Sequence, residues 1–384
     1  MTLRQFIAAA GLAASFASCV PAYGQANWQM PTRFTRPELA SDEGGLWALM
    51  DRQEIQLRRS PFTLKDPELH DYVQGIACRL AGPHCPDVRV YVVRTPFFNA
   101  NMAPNGMMQV WTGLMLRAEN EAQLAAVLGH EIGHYLARHS VEGMRDAKSR
   151  SAFGQFLGVL GRVGSLGQLA VIASMFGYNR DQERQADAIG ATLMREAGYD
   201  VAEAAKVWEN LLLEIKARPG SDPSRTSAMF ATHPSPIERQ ETLKRLAEAN
   251  PGGTLNEEVW RAKTAPYMLD WLKEEVRRGQ HEESLALLNR MIEHAPERAE
   301  FLYARGEVYR SRANSSDIDA ALVDFQSAIK AVREPAETYR GLGVIYRQRN
   351  QAAAARESFQ HYLEAAPQAP DSAMIKNYME EPGT

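Results

Sequence analysis

The stretch LGHEIGHYLARHS, Leu128–Ser140, decides how this chain of 384 residues is interpreted. It sets three histidines and one glutamate into a segment whose other residues have the apolar spacing of a buried helix. Burying polar side chains costs free energy unless they are paired or bind a metal ion. A metal site on a buried helix is therefore the first hypothesis.

His130 and His134 are four positions apart, so a helix places both imidazoles on one face. Two imidazoles in this arrangement bind one zinc ion, and Glu131 then reaches a water molecule beside the metal without being a ligand. This is the H-E-x-x-H pattern, in which the glutamate removes the proton of the attacking water. We therefore predict one Zn²⁺ per chain, held by both histidines, with Glu131 as the catalytic base.

A third ligand has to come from elsewhere in the chain. Ala137 and Ser140 stand where the metzincin pattern requires Gly and His, so that pattern is excluded. On a continuous helix His139 would point away from His134, because five residues correspond to about 140° of rotation. We expect His139 to be a packing or solvent-facing histidine.

Glu183 is the candidate third ligand, and Asp187 lies one turn later on the same predicted helix. In that position Asp187 can accept the outer N–H of a ligand imidazole and orient the ring. The alternative is that both carboxylates belong to a charged helix surface with Arg180 and Arg184. Given the H-E-x-x-H pattern, the metal-site interpretation is favoured.

The first 26 residues have the pattern of a secretory signal: Arg4, a short apolar run of small residues over 6–18, and then Pro21. The segment predicts export to the periplasm, with cleavage as the simplest outcome. Cys19 leaves a lipid anchor open as an alternative.

The chain has three cysteines, so removal of Cys19 leaves Cys78 and Cys85. In an oxidising compartment such a close pair predicts a local disulfide, because zinc-binding cysteines usually come in tighter pairs with further ligands. Two buried free thiols are the alternative.

Composition supports a globular protein of two domains, with 45% hydrophobic and 23% charged residues. The formal net charge of −4 and the scattered basic residues argue against nucleic acid as a partner. Apolar spacing predicts helices over 37–82, and alternating residues then predict two strands joined by a turn at 104–106. We expect a small antiparallel sheet packed on the helix that carries the metal motif.

The second of these strands, MMQVWTGLM, is a candidate for pairing with an extended substrate, through Met108 and Val110. A buried central strand is the alternative. The apolar, glycine-rich stretch 152–178 predicts a buried helical hairpin beside the active site; a flap or a segment touching a membrane surface is the alternative.

After residue 254 the pattern changes to short amphipathic helices, and two segments align by eye. The spacing of small and large apolar residues, and the proline that ends each segment, resemble the tetratricopeptide repeat. A segment ending at Pro296 resembles a degenerate third copy. The matched positions are Gly306 with Gly343, Tyr309 with Tyr346, Ala321 with Ala355, Phe325 with Phe359, and Pro335 with Pro367.

The stretches NANMAPNGMMQVWTGLM, NEAQLAAVLGHEIGHYLARHS, RDQERQADAIGATLMREAGYD and THPSPIER together resemble the HtpX/BepA-like family of zinc metallopeptidases. With the repeats added, the chain is most similar to BepA-type periplasmic proteases. The resemblance implies that His130, His134 and Glu183 bind zinc and that Glu131 is the catalytic base. It also implies that Asp187 holds a ligand imidazole in place. Family members read N-A-F-A-x-P-G-G where this chain has NANMAPNG from Asn99, so the predicted substrate-binding edge, which includes Asn99, departs from the family pattern whereas the metal motif does not.

His233 lies in the Pro-rich stretch ATHPSPIER. We predict a gating or stabilising role for it at the metal's open position or beside the developing oxyanion; a structural histidine near Arg239 is the alternative.

These observations predict a mainly α (α+β) protein. A signal peptide (1–26) precedes a zincin-like peptidase domain (27–254) and an α-helical solenoid of tetratricopeptide type (255–384). The expected function is a secreted zinc endopeptidase acting on misfolded or stalled envelope and outer-membrane proteins. The repeats are expected to bind substrate or the outer-membrane assembly machinery. Peripheral contact of the protein with a membrane is a further alternative. The alternative from another class is a chaperone or scaffold with a vestigial metal site.

Overall fold

The computed structural model describes residues 28–149, 177–221, 229–230, 233 and 236–380. The predicted signal segment with Cys19 and nearly all of the apolar stretch 152–178 lie outside the described residues. Pro31–Thr384 form one compact unit. The fold is mainly helical with a small sheet, as predicted.

Two capped helices open this unit, α1 (Asp42–Arg59) and α2 (Pro67–Ala81). Asp66 accepts a hydrogen bond from the Leu69 backbone N–H, and the proline at the first position of α2 needs no such partner. A 3₁₀ turn, Gly82–Asp87, follows α2. It brings Cys85 back to Cys78, and the two form a disulfide with 4.5 Å between their Cα atoms.

The described residues contain one sheet, formed by β1 (Arg89–Val93), β2 (Ala100–Met102) and β3 (Met107–Trp111) in the order β1-β3-β2. The β2–β3 pair is an antiparallel hairpin, whereas β1 pairs with β3 in parallel. The sheet is therefore mixed, where we expected an antiparallel one. The prediction missed β2 because three residues are too few to show an alternating pattern. It therefore paired β1 with β3 as the hairpin, a position that β2 occupies in the structure.

The second half of the predicted strand MMQVWTGLM is helical: β3 ends at Trp111 and α3 (Thr112–Arg117) follows. The motif helix α4 (Glu121–Leu136) begins where the Asn120 side chain accepts a hydrogen bond from the Gln123 N–H. Every residue of α4 is buried. A helix buried on all sides is a rigid support for side chains that project from it.

The remaining described helices of the part before residue 254 are α5 (His139–Ser149), α6 (Arg180–Glu196), α7 (Ala202–Ala217) and α8 (Pro236–Ala249). None of the helices in the described ranges combines the length and apolar character needed to cross a bilayer.

Glycines let α4 and α6 approach closely. A Cβ placed on Gly133 would lie 2.8 Å from the Ala186 carbonyl oxygen, and one on Gly190 would lie 3.0 Å from the His130 backbone nitrogen. Small residues at a helix crossing allow the two backbones to touch. This contact sets the separation between the side chains of α4 and those of α6.

The chain continues into a run of helices after residue 254. Their bounds are α9 (Glu257–Arg278), α10 (His281–His294), α11 (Ala299–Arg312), α12 (Asp317–Ala328), α13 (Glu337–Gln348), α14 (Ala352–Ala365) and α15 (Ser372–Glu380).

The aligned residues of the two repeat segments make matching contacts. Gly306 of α11 packs on the ring of Phe325 in α12, and Gly343 of α13 packs on the ring of Phe359 in α14. In both pairs a Cβ on the glycine would collide with the ring. The recurrence of one contact in successive helix pairs is what a solenoid of repeats requires.

A buried ion cluster joins α3 to the helices on either side of residue 254. Arg117 of α3 donates through Nε to Glu214 Oε2 of α7 at 2.7 Å, and through Nη2 to Glu275 Oε1 of α9 at 3.0 Å. Trp260 of α9 also donates to the Ala118 carbonyl at 2.9 Å. The domain boundary predicted at residue 254 lies inside the compact unit and stays a prediction.

Candidate active site

Four buried side chains from three parts of the chain converge on one point. His130 and His134 come from α4, Glu183 from α6, and His233 from the segment before α8. One nitrogen or oxygen atom of each lies within 4.8 Å of the corresponding atom of every other. Each of the four residues is at most 2% exposed.

The inward-facing atoms form a tight set. His130 Nε2 and His134 Nε2 are 3.0 Å apart. Glu183 Oε1 lies 3.4 Å from His134 Nε2, and Glu183 Oε2 lies 3.6 Å from His130 Nε2. The structure thus brings together the two imidazoles and the carboxylate that the sequence proposed as ligands.

The outward ring nitrogens of both histidines have partners. His130 Nδ1 lies 2.8 Å from Asp187 Oδ1, and His134 Nδ1 lies 2.8 Å from His139 Nδ1. Burial lowers the pKa of His130 to about 4 and holds the pKa of His134 well below its usual value. Both imidazoles are therefore neutral, which is the form that binds metal ions.

Two carboxylate oxygens at this point have no hydrogen-bond partner among the described residues. They are Glu131 Oε1 and Glu183 Oε2, and both are buried. Arg239 Nη1 lies 3.0 Å from Glu183 Oε2 as an ion pair but makes no hydrogen bond to it. A buried acceptor without a hydrogen bond costs free energy, and a further cation bound beside the two oxygens reduces that cost. Two imidazole nitrogens and a carboxylate, with the second glutamate Glu131 beside them, fit the donor set of a catalytic zinc ion.

Glu131 is placed to act beside the ligands without joining them. Burial raises the pKa of its carboxyl to about 7, and the Met102 backbone N–H donates a hydrogen bond to it. A carboxylate whose pKa lies near neutrality both accepts and returns protons efficiently.

His233 lies inside the cluster. Its Nδ1 is 2.9 Å from Glu183 Oε1 and 3.2 Å from His130 Nε2, and its Nε2 is 3.6 Å from Glu131 Oε1. Burial alone would lower its pKa, but Glu183 and Glu131 raise it above the ordinary value. The predicted gating or stabilising role is consistent with this position and stays a prediction.

Comparison with known proteins adds an independent finding. Residues 63–247 match Peptidase family M48. The family resemblance read from the sequence is thereby confirmed, and the matched range contains His130, Glu131, His134, Glu183 and His233.

Individual relatives resemble part of the chain. Over 205 residues the chain is 31% identical to mitochondrial metalloendopeptidase OMA1 of Arabidopsis thaliana, covering 53% of this chain and 37% of the relative. It is 26% identical over 228 residues to the beta-barrel assembly-enhancing protease of Escherichia coli K12, covering 53% and 45%. It is 30% identical over 163 residues to metalloprotease YcaL of the same organism, covering 41% and 61%. The chain thus spans less than two thirds of the length of these relatives.

Arg239 of α8 lies in the segment that matches Peptidase family M48, and the sequence did not reveal its contacts. It donates to both oxygens of Asp187, from Nε at 3.0 Å and from Nη2 at 2.6 Å, and its guanidinium lies over the ring of Trp208 at 4.3 Å. It thereby fixes the carboxylate that holds His130. The only signal was its place six residues after His233, and spacing alone does not show which side chain it meets.

The predicted substrate-pairing strand requires a correction. β3 is the central strand, hydrogen-bonded on both sides, and Met108 and Val110 are fully buried. Neither residue lies at a sheet edge, because the unrecognised β2 occupies that side. Asn99, directly before β2, is also buried, and its carbonyl accepts a hydrogen bond from the Trp111 N–H. The strand beside the metal site is β2, through the contact of Met102 with Glu131.

The expectation that His139 points away from His134 also requires a correction, because the two rings are in contact. Helix α4 ends at Leu136, and Arg138 has a positive φ of 60° that turns the chain before α5 begins. The argument from helical rotation fails because the helix is not continuous between His134 and His139.

Tyr178 covers the outer side of the His134 ring. The two rings stack with 3.6 Å between their centroids, and the Tyr178 hydroxyl lies 3.1 Å from Ser140 Oγ. This contact fixes the plane of the ring of His134, a proposed ligand, and no sequence pattern indicated it.

Proposed function

We propose that the chain is an exported zinc endopeptidase that hydrolyses peptide bonds in unfolded or misassembled envelope proteins. The convergence of His130, His134 and Glu183 on one buried point, with Glu131 beside it, carries the proposal. The match to Peptidase family M48 supports the reaction class.

The residues of the site have distinct roles in this proposal. His130, His134 and Glu183 hold the ion, and Asp187 orients His130. A zinc ion held there would supply a Lewis acid for the scissile carbonyl and would lower the pKa of a nearby water molecule. Glu131 would accept the proton of the attacking water and pass it to the leaving amine.

An extended substrate would be oriented by β2 in this proposal. β2 is the outer strand of the order β1-β3-β2, and its Met102 contacts the proposed base. Backbone hydrogen bonds to a sheet edge bind a peptide largely without regard to its side chains. Such binding suits a peptidase that acts on unfolded chains of varied sequence.

The helices after residue 254 would recruit the substrate or an assembly machine of the outer membrane. Stacked helix pairs form an extended surface that commonly binds proteins, and one of the relatives is named a beta-barrel assembly-enhancing protease. The signal-like segment 1–26 supports a periplasmic location. A lipid on Cys19 would add a membrane tether.

The decisive test compares Glu131→Gln with the wild-type chain. Metal content per chain and casein cleavage, with and without a chelator, are measured on both proteins. We expect one zinc ion per wild-type chain and cleavage that the chelator abolishes. The variant should retain zinc and lose cleavage by about 10²-fold or more, because a general base contributes on that order.

The matched control is Glu196→Gln, which removes an exposed carboxylate at the end of α6 and should leave cleavage unchanged. Zinc binding without casein cleavage by the wild-type chain would instead favour a chaperone or scaffold. Unaltered cleavage by Glu131→Gln would remove the assigned base.

A further inference from the structure

His139 connects a proposed metal ligand to the protein surface. It is 1% exposed, its Nδ1 lies 2.8 Å from His134 Nδ1, and its Nε2 lies 2.9 Å from Gln185 Oε1. Gln185 is exposed and sits on α6 two residues after Glu183. A path of two hydrogen bonds therefore runs from His134 to an amide at the surface.

The amide oxygen of Gln185 sets the donor-to-acceptor direction of this hydrogen-bond path. An oxygen accepts, so with Gln185 Oε1 facing the ring the proton of His139 is on Nε2, which donates it. In the neutral ring His139 Nδ1 then has a lone pair and accepts from His134 Nδ1–H. That proton position leaves the lone pair of His134 on Nε2, which is the atom that faces Glu183 and His130.

The reverse arrangement would defeat metal binding. If His139 donated from Nδ1, His134 Nδ1 would have to accept, and the proton of the neutral His134 ring would sit on Nε2. A protonated Nε2 cannot bind a cation. The identity of the group at position 139 thus determines which nitrogen of His134 is available.

We propose that His139, fixed by Gln185, is a positioning residue that holds His134 in the Nδ1–H form and so prepares its Nε2 for the metal. The inference rests on the proposed metal site and deepens it. His139 does for His134 what Asp187 does for His130, but as a neutral acceptor. It adds no negative charge to a point that already contains three buried carboxylates, Glu131, Glu183 and Asp187.

The test measures zinc affinity by competition with a chromophoric chelator. His139→Leu keeps an apolar side chain at the position but removes the acceptor, and we expect its affinity to fall about 10- to 100-fold. His139→Asn is the matched control, because its Oδ1 takes the place of Nδ1 and accepts the same hydrogen bond. Its affinity should stay close to that of the wild-type chain.

A second pair of variants changes Gln185, the exposed residue at the outer end of this hydrogen-bond path. Gln185→Leu removes the acceptor that fixes His139 and should weaken zinc binding, whereas Gln185→Glu keeps an acceptor and should not. Histidine ¹⁵N NMR of the zinc-loaded protein reports the tautomers directly. We expect the His139 proton on Nε2 and the His134 proton on Nδ1.

The results separate this inference from the metal site itself. A wild-type chain that binds no zinc would overturn both. Normal zinc binding by folded His139→Leu, equal losses in His139→Leu and His139→Asn, or a His139 proton found on Nδ1 would overturn the positioning role while leaving the metal site intact.

Discussion

His233 occupies space among the ligand atoms that a substrate or water also needs. Its Nδ1 contacts Glu183 and His130, and its Nε2 is near Glu131. Under the proposed function, a side chain so placed would compete with the substrate for the same point. At the residue scale we therefore predict that, of the gating and stabilising roles, His233 has the gating one.

Replacing His233 by Ala should raise casein cleavage. The gain would be about tenfold if the open state makes up on the order of one tenth of the wild-type population. Turnover is compared at saturating zinc, with His70→Ala as control, because the His70 side chain is 44% exposed. A loss of turnover would instead assign His233 a direct part in the reaction, and unchanged turnover would contradict both roles.

Spacing along single helices explains why the cluster of His130, His134 and Glu183 could be predicted from the sequence. His130 and His134 are four residues apart on α4, and Glu183 and Asp187 are four residues apart on α6, which in each case is about one helical turn. The contacts of His139 and Arg239 could not be predicted in the same way. One depends on the helix break at Arg138, and the other on a tertiary contact between α8 and α6.

At the scale of elements, the contact between α4 and α6 sets the distance from the two imidazoles to Glu183. Gly133→Ala would place a methyl group 2.8 Å from the Ala186 carbonyl and push the helices apart. We expect a loss of about 1–3 kcal/mol in the free energy of unfolding, together with weaker zinc binding. Urea unfolding of the zinc-free protein and chelator competition measure the two effects.

The control for this substitution is Gly75→Ala in α2, where a Cβ would meet no atom within 4 Å. It should stabilise the protein by up to about 1 kcal/mol, because alanine favours a helix over glycine. If Gly133→Ala were as stable as Gly75→Ala, the helix contact would not set the geometry of the site.

The elements themselves were predictable where they are long. The helices α1, α2, α4 and α6 follow their apolar periodicity and capping residues. The three-residue strand β2 carries no such periodicity, and its absence from the prediction misplaced β3 at the edge of the sheet. The matching contacts of Gly306 with Phe325 and Gly343 with Phe359 show that repeated spacing was informative beyond single elements.

At the scale of the whole molecule, Arg117 joins helices from both sides of residue 254. Arg117→Leu would leave the buried Glu214 and Glu275 without one cation each. They keep Arg290 and Arg278 respectively, so we expect the lower end of the usual cost, about 3 kcal/mol in the free energy of unfolding.

Urea unfolding of Arg117→Leu is compared with that of Arg261→Ala, which removes an exposed pair with Glu257. The control should cost about 0.5 kcal/mol or less. Equal losses in the two variants would show that the buried cluster does not hold the parts together.

The same cluster predicts sensitivity to acid. Burial alone would raise the pKa of Glu275, but Arg117 and Arg278 outweigh it and hold the pKa below its usual value. The carboxylate therefore stabilises the fold above the unfolded pKa of about 4.3, and this contribution is lost as the pH falls through the folded pKa. Unfolding between about pH 5 and pH 3 should depend less steeply on pH in Glu275→Gln than in the wild-type chain. An identical slope would contradict this assignment.

Helices α9 and α10 contact α3 and α7 through Arg117, Trp260 and Arg290, although both follow residue 254. A chimera that exchanges the C-terminal repeats should therefore keep residues 31–294 from this chain and graft foreign repeats after His294. A junction at residue 254 would remove α9 and α10, so the retained part of this chain would lose its packing partners. Any change in specificity could then not be separated from a loss of stability.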